Sequence, residues 1–374
     1  MTPLRSIARQ VHLYAGLAAA PFLLVIGATG AFLEFEYPID RWLNPGLSQV
    51  SPGPSRVPLQ VLLQEVRAAF PEYEVQSLDL SPYSPAPELS YAAQVMAGKD
   101  GPAATVYIDQ YSGRILGMRQ GSGFAASVHE FHTNLLLGDG GEAAVMLVST
   151  LLVLLGASGL VLWWPRKLVR VDWTGSSQRL NFTLHHALGI FCSLSLLVFG
   201  ATGFVVYWQG NWLLPAANRA LRIVDEEPVL KGAVAPAGAI AVSLDQADAQ
   251  ARREVPGART TRISLPAPGG AYKVWMKYPE DQTPLGRTNL LIDPYSGKVL
   301  WCRTSRSAAV TTRYFRQWNR EIHTGELLGW PTRLLACLTA LLLPGLAVSG
   351  PLIWWKRRRR PALRTGNVSG SKHP

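Results

Sequence analysis

Four long apolar runs constrain the fold of this chain more than any other feature of its sequence. They cover residues 12–33, 143–164, 186–208 and 332–355. Each run reaches the roughly 20 residues that a helix needs to cross the hydrocarbon core of a bilayer, which is about 30 Å thick. Each run therefore predicts a transmembrane helix, and the four together predict a membrane protein.

The composition and the cysteines exclude several other classes of protein. Hydrophobic residues make up 48% of the chain and charged residues only 16%, a balance that argues against a purely soluble enzyme. The three cysteines, Cys192, Cys302 and Cys337, lie far apart in the sequence. They form no CxxC or CxxCH motif and no disulfide framework, which excludes zinc-finger, iron–sulfur and c-type haem proteins.

The distribution of Lys and Arg beside the apolar runs predicts how the helices are oriented. Residues 1–11, 165–184 and 356–374 together hold 13 Lys or Arg and one acidic residue, Asp172. Basic residues near the ends of a span resist translocation, so these segments are predicted to be cytoplasmic and two large loops to lie on the other side. The net charge of +11 then reflects anchoring to anionic lipid and indicates no nucleic-acid partner.

Short motifs recur along the chain and predict that it consists of two similar halves. The offset between matching motifs runs from 173 to 191 residues. The matches are His12–Gly16 with His185–Gly189, Thr29-Gly30 with Thr202-Gly203, Asp109–Gly113 with Asp293–Gly297, and Glu130–Thr133 with Glu321–Thr324. Each half is predicted to hold a helix, a soluble module and a second helix.

Each soluble module is predicted to belong to the α+β class. In the first, apolar residues at helical spacing predict a helix over 58–70. In the second, Ser243 is the predicted N-cap of a helix that ends near Val255. Strands are expected near 73–80, 89–97, 104–119, 259–265, 271–278, 287–293 and 298–303.

Several of these features together resemble the PepSY-associated transmembrane family. They are the repeat, the histidines near the span ends, the two D-x-Y-S-G turns, and the tryptophan pairs Trp163-Trp164 and Trp354-Trp355. The resemblance covers residues 1–360. It implies a protein of the bacterial inner membrane with periplasmic PepSY-like modules, similar to members that bind haem b and reduce ferric siderophores.

The spans and the resemblance together predict the architecture of a membrane α-helical protein. Its four transmembrane helices form a bundle made of two repeats, with two periplasmic α+β PepSY-like modules and both termini in the cytoplasm. The predicted segments are helix 1 with a cytoplasmic N-terminus (1–33), module 1 (34–142), helix 2 (143–164), a cytoplasmic loop (165–184), helix 3 (185–208), module 2 (209–330), helix 4 (331–355) and a basic tail (356–374).

Six of the seven histidines lie within a few residues of a predicted span end. A neutral imidazole can give its lone pair to haem iron, and two imidazoles from facing helices fill both axial positions. The register of the repeat pairs His12 with His185 at the cytoplasmic side and His132 with His323 at the periplasmic side. Two haem b groups are therefore expected, one at each pair.

Glycines accompany these histidines at helical spacing. Gly16 and Gly189 lie one turn beyond their histidines on the same helix face, where a missing side chain leaves room for a flat macrocycle. Gly30 lies 18 residues beyond His12, which is five full turns and about 27 Å along a helix. Gly30 and its counterpart Gly203 are expected beside the outer haem.

Two further histidines, His129 and His186, have no counterpart in the repeat. His129 and His132 lie three residues apart on one helix face and could bind a bare iron, copper or zinc ion, with Glu130 as the nearby carboxylate. Otherwise His129 and His186 are candidates for spare ligands, propionate contacts or groups on the substrate side. Glu130 and Glu321 could orient the neighbouring imidazoles.

Arg313, Arg316 and Arg320 recur at helical spacing ahead of His323 and are predicted to form one basic stripe. Guanidinium binds carboxylate through two parallel hydrogen bonds, so the stripe could hold haem propionates or attract an anionic ferric chelate. Contact with phospholipid headgroups is an equally good interpretation.

The predicted cytoplasmic segments are too short for a nicotinamide or flavin domain, and no GxGxxG motif opens a helix after a strand. Electrons would come from quinol or a cytosolic reductase and reach a ferric siderophore, or another ferric chelate, in the periplasm. The chain is thus expected to be a membrane ferric-siderophore reductase. One alternative keeps the electron relay and gives its electrons to a partner protein. The other is a haem-free membrane anchor whose PepSY-like modules bind or inhibit a periplasmic protein.

Overall fold

A computed structural model describes most of the chain, which divides into two compact units. The described residues are 2–80, 86–98, 101–121, 123–164, 169–208, 212–223, 227–228 and 240–359. Part of the predicted cytoplasmic loop (165–168) and most of the predicted basic tail (360–374) lie outside them. The helical unit consists of Met1–Ala28, Val148–Gly200 and Leu338–Pro374, and the sheet unit of Thr29–Leu147 and Ala201–Cys337.

The described elements are four long helices, several short ones and eight strands. The helices are α1 (Pro3–Leu33), α2 (Glu36–Leu43), α3 (Pro45–Ser48), α4 (Leu59–Ala69), α5 (Gly123–Asn134), α6 (Gly138–Trp163), α7 (Ser177–Trp208), α8 (Leu214–Leu221), α9 (Leu244–Glu254), α10 (Val310–Thr312), α11 (Asn319–His323) and α12 (Trp330–Arg358). The strands are β1 (Tyr73–Asp79), β2 (Tyr91–Ala97), β3 (Ala103–Ile108), β4 (Ile115–Gln120), β5 (Arg259–Ser264), β6 (Tyr272–Lys277), β7 (Thr288–Ile292) and β8 (Val299–Arg303).

The four long helices α1, α6, α7 and α12 contain the four apolar runs and are long and apolar enough to cross a membrane. Their most apolar segments have a mean hydropathy between 1.9 and 2.4. Each helix begins before its apolar run. The difference is nine residues at both α1 and α7, and because α7 starts at Ser177, residues 177–184 of the predicted cytoplasmic loop are helical.

Glycines allow the helices of the helical unit to approach closely. A β-carbon at Gly27 of α1 would lie 2.8 Å from Cδ of Pro344 in α12, and one at Gly156 of α6 would lie 2.8 Å from Cγ of Leu197 in α7. Small residues at such crossings are typical of membrane helices, which associate by close packing. On the outer surface, large apolar side chains such as Leu194 are exposed, as expected for contact with lipid.

The sheet unit contains one antiparallel sheet in the order β4-β3-β2-β1-β5-β6-β7-β8. Strands from the two predicted modules therefore belong to a single sheet, in which β1 pairs with β5. Two separate modules were expected because pairing between distant strands leaves no local signal in the sequence. The extended segment expected over 104–119 forms two strands, β3 and β4, which meet at the D-x-Y-S-G turn Asp109–Gly113, as the hairpin pattern of that motif predicts.

Helices α4 and α9 pack on this sheet and cap each other. Ser243 is the N-cap of α9 with a complete capping box, as predicted. The first backbone N–H groups of α4, at Leu59 and Gln60, donate to the carboxylate of Asp245 at the start of α9. In return, the N–H of Leu244 donates to the side-chain oxygen of Gln60. The core shared by the two helices and the sheet therefore joins residues from both halves of the chain.

A buried ion pair spans the junction between β1 and β5. Asp79 and Arg262 are register partners on these two strands, and Nη2 of Arg262 donates to Oδ2 of Asp79 at 2.8 Å. A second bond, from Nε of Arg262 to Oδ1, makes the pair bidentate. Only 7% of the Asp79 side chain is exposed, so this pair is shielded from the water that weakens surface ion pairs.

We expect the substitution Asp79→Ala to lower the free energy of unfolding by about 3 kcal/mol or more, because it leaves the Arg262 guanidinium partly buried without its partner. The measurement is denaturant unfolding of the detergent-solubilised protein, followed by circular dichroism. Glu280→Gln is the matched control, since it removes the exposed pair between Glu280 and Arg306, and its effect on the free energy of unfolding is expected to be close to zero because water screens exposed pairs. Equal losses for the two variants would contradict a structural role for the junction.

Candidate functional site

A cavity of about 520 Å³ lies within the helical unit, and all four long helices contribute to its wall. Most of the wall is apolar, and the polar groups are few. Histidines and glycines from the predicted haem site line it, namely His12, Gly16, His185, His186 and Gly189. Gly159 of α6 and Gly350 of α12 line it as well.

His12 of α1 and His185 of α7 face each other across this cavity. Their ring centres are 6.3 Å apart, and the ring planes are nearly perpendicular, at 86°. A bond from a metal to an imidazole nitrogen is about 2.0–2.1 Å long. Because that nitrogen lies about 1.1 Å from the centre of its ring, two imidazoles on opposite sides of one metal ion have centres about 6.3 Å apart. The observed separation therefore suits a single ion held between the two rings.

A serine fixes the tautomer of His12. Nδ1 of His12 lies 3.0 Å from Oγ of Ser158, which belongs to α6. The hydroxyl of Ser158 donates its only proton to the carbonyl oxygen of Leu154 in its own helix. Oγ must therefore accept the bond from His12, so that Nδ1 carries the ring proton and Nε2 carries a lone pair.

His185 is held in the same way by α12. Its Nδ1 lies 2.7 Å from Oγ of Ser349, and that hydroxyl donates to the carbonyl oxygen of Leu346 at 3.2 Å. Asn181 of α7 also donates to the backbone carbonyl of Ser349, at 3.1 Å. Nδ1 is thus the donor nitrogen of both imidazoles, so the neutral form of each ring, which is the form that binds a metal, carries its lone pair on Nε2.

The glycine that follows each serine lies against the same imidazole. A β-carbon at Gly159 would come within 3.3 Å of Cε1 of His12, and one at Gly350 within 3.5 Å of Cε1 of His185. A larger side chain at either position would press on the ring and turn it. Each Ser-Gly pair therefore provides both a hydrogen-bond acceptor and the space that the imidazole needs.

The second histidine pair lies in the sheet unit and has threonine partners. Nδ1 of His132, in α5, is hydrogen-bonded to Oγ1 of Thr29 at 3.0 Å. Nδ1 of His323, at the end of α11, is hydrogen-bonded to Oγ1 of Thr202 at 2.8 Å. Asn319 donates to the backbone carbonyl of Thr202 at 3.2 Å and so fixes α11 beside it. With Nδ1 engaged, a metal would bind either histidine through Nε2.

A glycine also follows each of the two threonines that contact the second pair of histidines: Gly30 follows Thr29, and Gly203 follows Thr202. Each of the four long helices thus carries one hydroxyl residue followed by glycine, and each such hydroxyl contacts a histidine of another helix. These dipeptides are Thr29-Gly30, Ser158-Gly159, Thr202-Gly203 and Ser349-Gly350. Sequence reasoning missed the two serines, although Ser158-Gly159 and Ser349-Gly350 recur at the offset of the repeat.

The two histidines without a counterpart in the repeat, His129 and His186, differ from each other in their surroundings. His186 lines the cavity, donates from Nδ1 to the carbonyl oxygen of Phe182 at 2.9 Å and lies with its ring centre 4.1 Å from that of Phe182. His129 and the neighbouring Glu130 are exposed on α5. In the described part of the chain, no three His, Cys, Asp or Glu side chains converge, so the bare metal site considered for His129 is not formed there.

The arginines ahead of His323 do not follow the regular helical spacing on which a stripe was predicted. Arg313 and Arg316 belong to a π-helical segment, Arg313–Trp318, which has more residues per turn than an α-helix. Arg320 lies in α11 and is paired with Glu326 at 2.6 Å. The three guanidinium groups therefore have different surroundings. Glu321 is buried, and this burial raises the pKa of its carboxyl group.

Glu34, directly after α1, is a partly buried carboxyl group in the sheet unit. Arg333 donates from Nη2 to the backbone carbonyl of Glu34 at 2.6 Å, and its Nε lies 3.4 Å from the carboxylate. Burial raises the pKa of Glu34 to about 7, and the Arg333 charge opposes that rise. The folded protein therefore keeps a proton on Glu34 at pH values where the unfolded chain has released it.

This shift predicts that Glu34 lowers the stability of the protein as the pH rises. Between about pH 4.5 and pH 7 the folded state binds more protons than the unfolded state, so the free energy of unfolding falls across this window. We expect Glu34→Gln to make that fall smaller, as measured by the Tm of the solubilised protein at about pH 5 and about pH 7.5. Glu130→Gln, at an exposed carboxylate, is the control, and identical pH dependence of the two variants would refute the role of Glu34.

Comparison with known proteins identifies the family. No curated protein matches the chain. The profile of one family, described as the PepSY-associated TM region, matches residues 9–357, which is nearly the whole chain. That range includes the four long helices almost entirely, the whole sheet and both histidine pairs. The chain is therefore a membrane protein that belongs to the PepSY-associated TM region family.

Proposed function

We propose that this protein holds two haem b groups and transfers electrons across the bacterial inner membrane to a ferric siderophore or another ferric chelate in the periplasm. One observation carries the proposal. Each of four histidines is hydrogen-bonded through Nδ1 to a hydroxyl group of another helix, at matching positions of the two predicted repeats, and two of the four, His12 and His185, lie with their ring centres 6.3 Å apart. A histidine that only caps a helix or contacts a headgroup needs no such partner.

The His12–His185 pair supports an inner haem site. Two imidazoles whose Nδ1 atoms are engaged by serines, and whose Nε2 atoms are therefore left for a metal, lie at a separation that suits one iron between them. The iron of haem needs only these two protein ligands, because the porphyrin supplies the other four nitrogens, so the lack of a third converging ligand in the described residues does not count against this site. The cavity of about 520 Å³ lies within the usual size range of cofactor pockets, roughly 300–1,000 Å³.

The outer haem is proposed at His132 and His323 because the repeat register pairs them and because each has a threonine partner at Nδ1. Thr29 and Thr202 orient these imidazoles as Ser158 and Ser349 orient the first pair. A haem held by each pair of histidines would supply one-electron transfer. The hydroxyl partners would hold the planes of the imidazole rings, and the apolar wall of the inner cavity would exclude water from the inner haem.

The direction of transfer rests on the predicted topology. The basic segments around α1, α7 and α12 favour a cytoplasmic location for the His12–His185 end, and the acidic first loop favours a periplasmic location for the sheet unit. Electrons would come from quinol or a cytosolic reductase. One electron converts ferric to ferrous iron, which oxygen-rich chelators hold less tightly, so reduction would release the metal for uptake.

The first test is the visible spectrum of the purified protein. We expect a reduced-minus-oxidised spectrum of a b-type haem with two haems per chain. His12→Ala and His132→Ala should each remove one haem, because each substitution deletes an axial ligand. Tyr14→Phe, at an exposed residue two positions from His12, should keep both.

A colourless but well-folded protein would refute the haem proposal and favour the haem-free anchor that binds or inhibits a periplasmic protein. Loss of both haems in either histidine variant, with the fold retained by circular dichroism, would contradict the assignment of separate sites.

The second test concerns the electron acceptor. We expect the dithionite-reduced protein, freed of excess dithionite, to be re-oxidised by a ferric siderophore while one ferrous ion forms per electron transferred. A ferrous-specific chelator reports that product in a stopped-flow measurement. The same siderophore loaded with gallium is the matched control, because gallium(III) has the charge of ferric iron and accepts no electron under these conditions.

Re-oxidation at the same rate with and without the ferric siderophore would contradict direct reduction of the chelate. It would leave the haem sites intact and favour the variant of the relay that serves a partner protein.

A further inference from the structure

The cavity of the helical unit carries three arginines and no acidic residue on its wall. Arg9 of α1 and Arg357 and Arg358 of α12 line it, together with the histidines. Among the lining residues that the structure describes, none is Asp or Glu. The wall therefore combines an apolar body with positive charge, and it suits a ligand that is apolar over most of its surface and anionic at one end.

The helical unit has almost no negative charge of its own to neutralise these arginines. Its three segments contain 13 Lys or Arg and one acidic residue, Asp172. Asp172 forms an ion pair with Arg179. Arg9, Arg357 and Arg358 are partly open to solvent, and an anionic group bound in the cavity would give them a counter-charge that this unit does not itself provide.

Aromatic rings, rather than carboxylates, position two of these guanidinium groups. The guanidinium carbon of Arg357 lies 5.6 Å from the ring centre of Phe182, and that of Arg358 lies 4.7 Å from the ring centre of Trp354. Such cation–π contacts engage the guanidinium through the ring face and leave its N–H groups able to donate in its own plane. That geometry suits a carboxylate, which accepts two parallel hydrogen bonds.

The arginines lie on the histidine side of their helices but closer to the helix ends. Arg9 precedes His12 by three residues, which is about 4.5 Å along α1. Arg357 follows Gly350, the glycine against His185, by seven residues, which is two turns and about 10.5 Å along α12. A ligand whose flat body lies between the histidines would need anionic arms of a few bonds to reach these groups.

We propose that Arg9, Arg357 and Arg358 form a carboxylate-binding subsite that pairs with the two propionates of the inner haem and so fixes which edge of the macrocycle points toward this end of the helices. The inference rests on the proposed function, because it assumes that haem b occupies the cavity. Its chemistry is that of carboxylate recognition. A phospholipid phosphate offers similar oxygens, so the experiment must separate the two sources.

The test compares haem b with its dimethyl ester, which lacks the two negative charges. The haem-free protein is titrated with each compound, and binding is followed by Soret absorbance. Wild-type protein should bind the ester about tenfold or more weakly, since hydrogen bonds to charged groups contribute about 1.5–3 kcal/mol. The double variant Arg9→Gln, Arg357→Gln should bind haem b that much more weakly than wild type and should no longer distinguish the two compounds.

Arg359→Gln is the matched control, because Arg359 packs on Trp355 and is not among the lining residues. It should bind both compounds as wild type does. If the double Gln variant fails to fold, the double Lys variant keeps the charge but loses the planar fork, and a smaller loss of discrimination is expected for it.

Two results would overturn the inference. Equal affinity of wild-type protein for haem b and its ester would show that the arginines do not recognise the propionates. Unchanged haem affinity in the double variant, with loss of a co-purified anionic phospholipid by native mass spectrometry, would assign the subsite to lipid phosphate. Wild-type protein that binds neither compound would instead refute the proposed function itself.

Discussion

The hydrogen bond between a histidine Nδ1 and a hydroxyl group of another helix is the interaction on which the whole candidate site depends. Among apolar helices an imidazole N–H without an acceptor costs about 1–3 kcal/mol, so each buried histidine needs a partner. Ser158 meets this need because its own proton is already bonded to the carbonyl of Leu154. Because the hydroxyl of Ser158 has no second proton to donate, Nδ1 of His12 must donate to it. The position of Ser158 on α6 thereby fixes the orientation of the His12 ring.

The sheet unit joins the two halves of the chain through contacts between residues that are far apart in the sequence, which local sequence patterns do not predict. β1 and β5 are adjacent in the sheet although about 180 residues separate them in the chain. The Asp79–Arg262 pair crosses that junction, and α4 and α9 share one core beneath it. The histidines His132 and His323, each in a short helix that follows one half of the sheet, thus belong to a unit that both halves of the chain build together.

Hydropathy and repeat register predicted much of this arrangement, because both leave strong local signals. The four spans and the N-cap Ser243 are of this kind. The register also predicted that His12 and His185 face each other, and their ring centres lie 6.3 Å apart. Hydropathy did not identify Ser158 and Ser349, because the role of each serine depends on a histidine about 150 residues away in the chain. The π-helical winding at Arg313 likewise arises from tertiary packing that spacing alone does not show.

The mutual capping of α4 and α9 has a consequence for the modular appearance of the chain. Gln60 and Asp245 occupy the second position of their helices, and each supplies the acceptor for the other helix's first N–H groups. Separating the two halves would leave the first donors of both helices without these acceptors at once. Each half of the chain therefore completes a helix start of the other, and the sheet unit is assembled in full only where both are present.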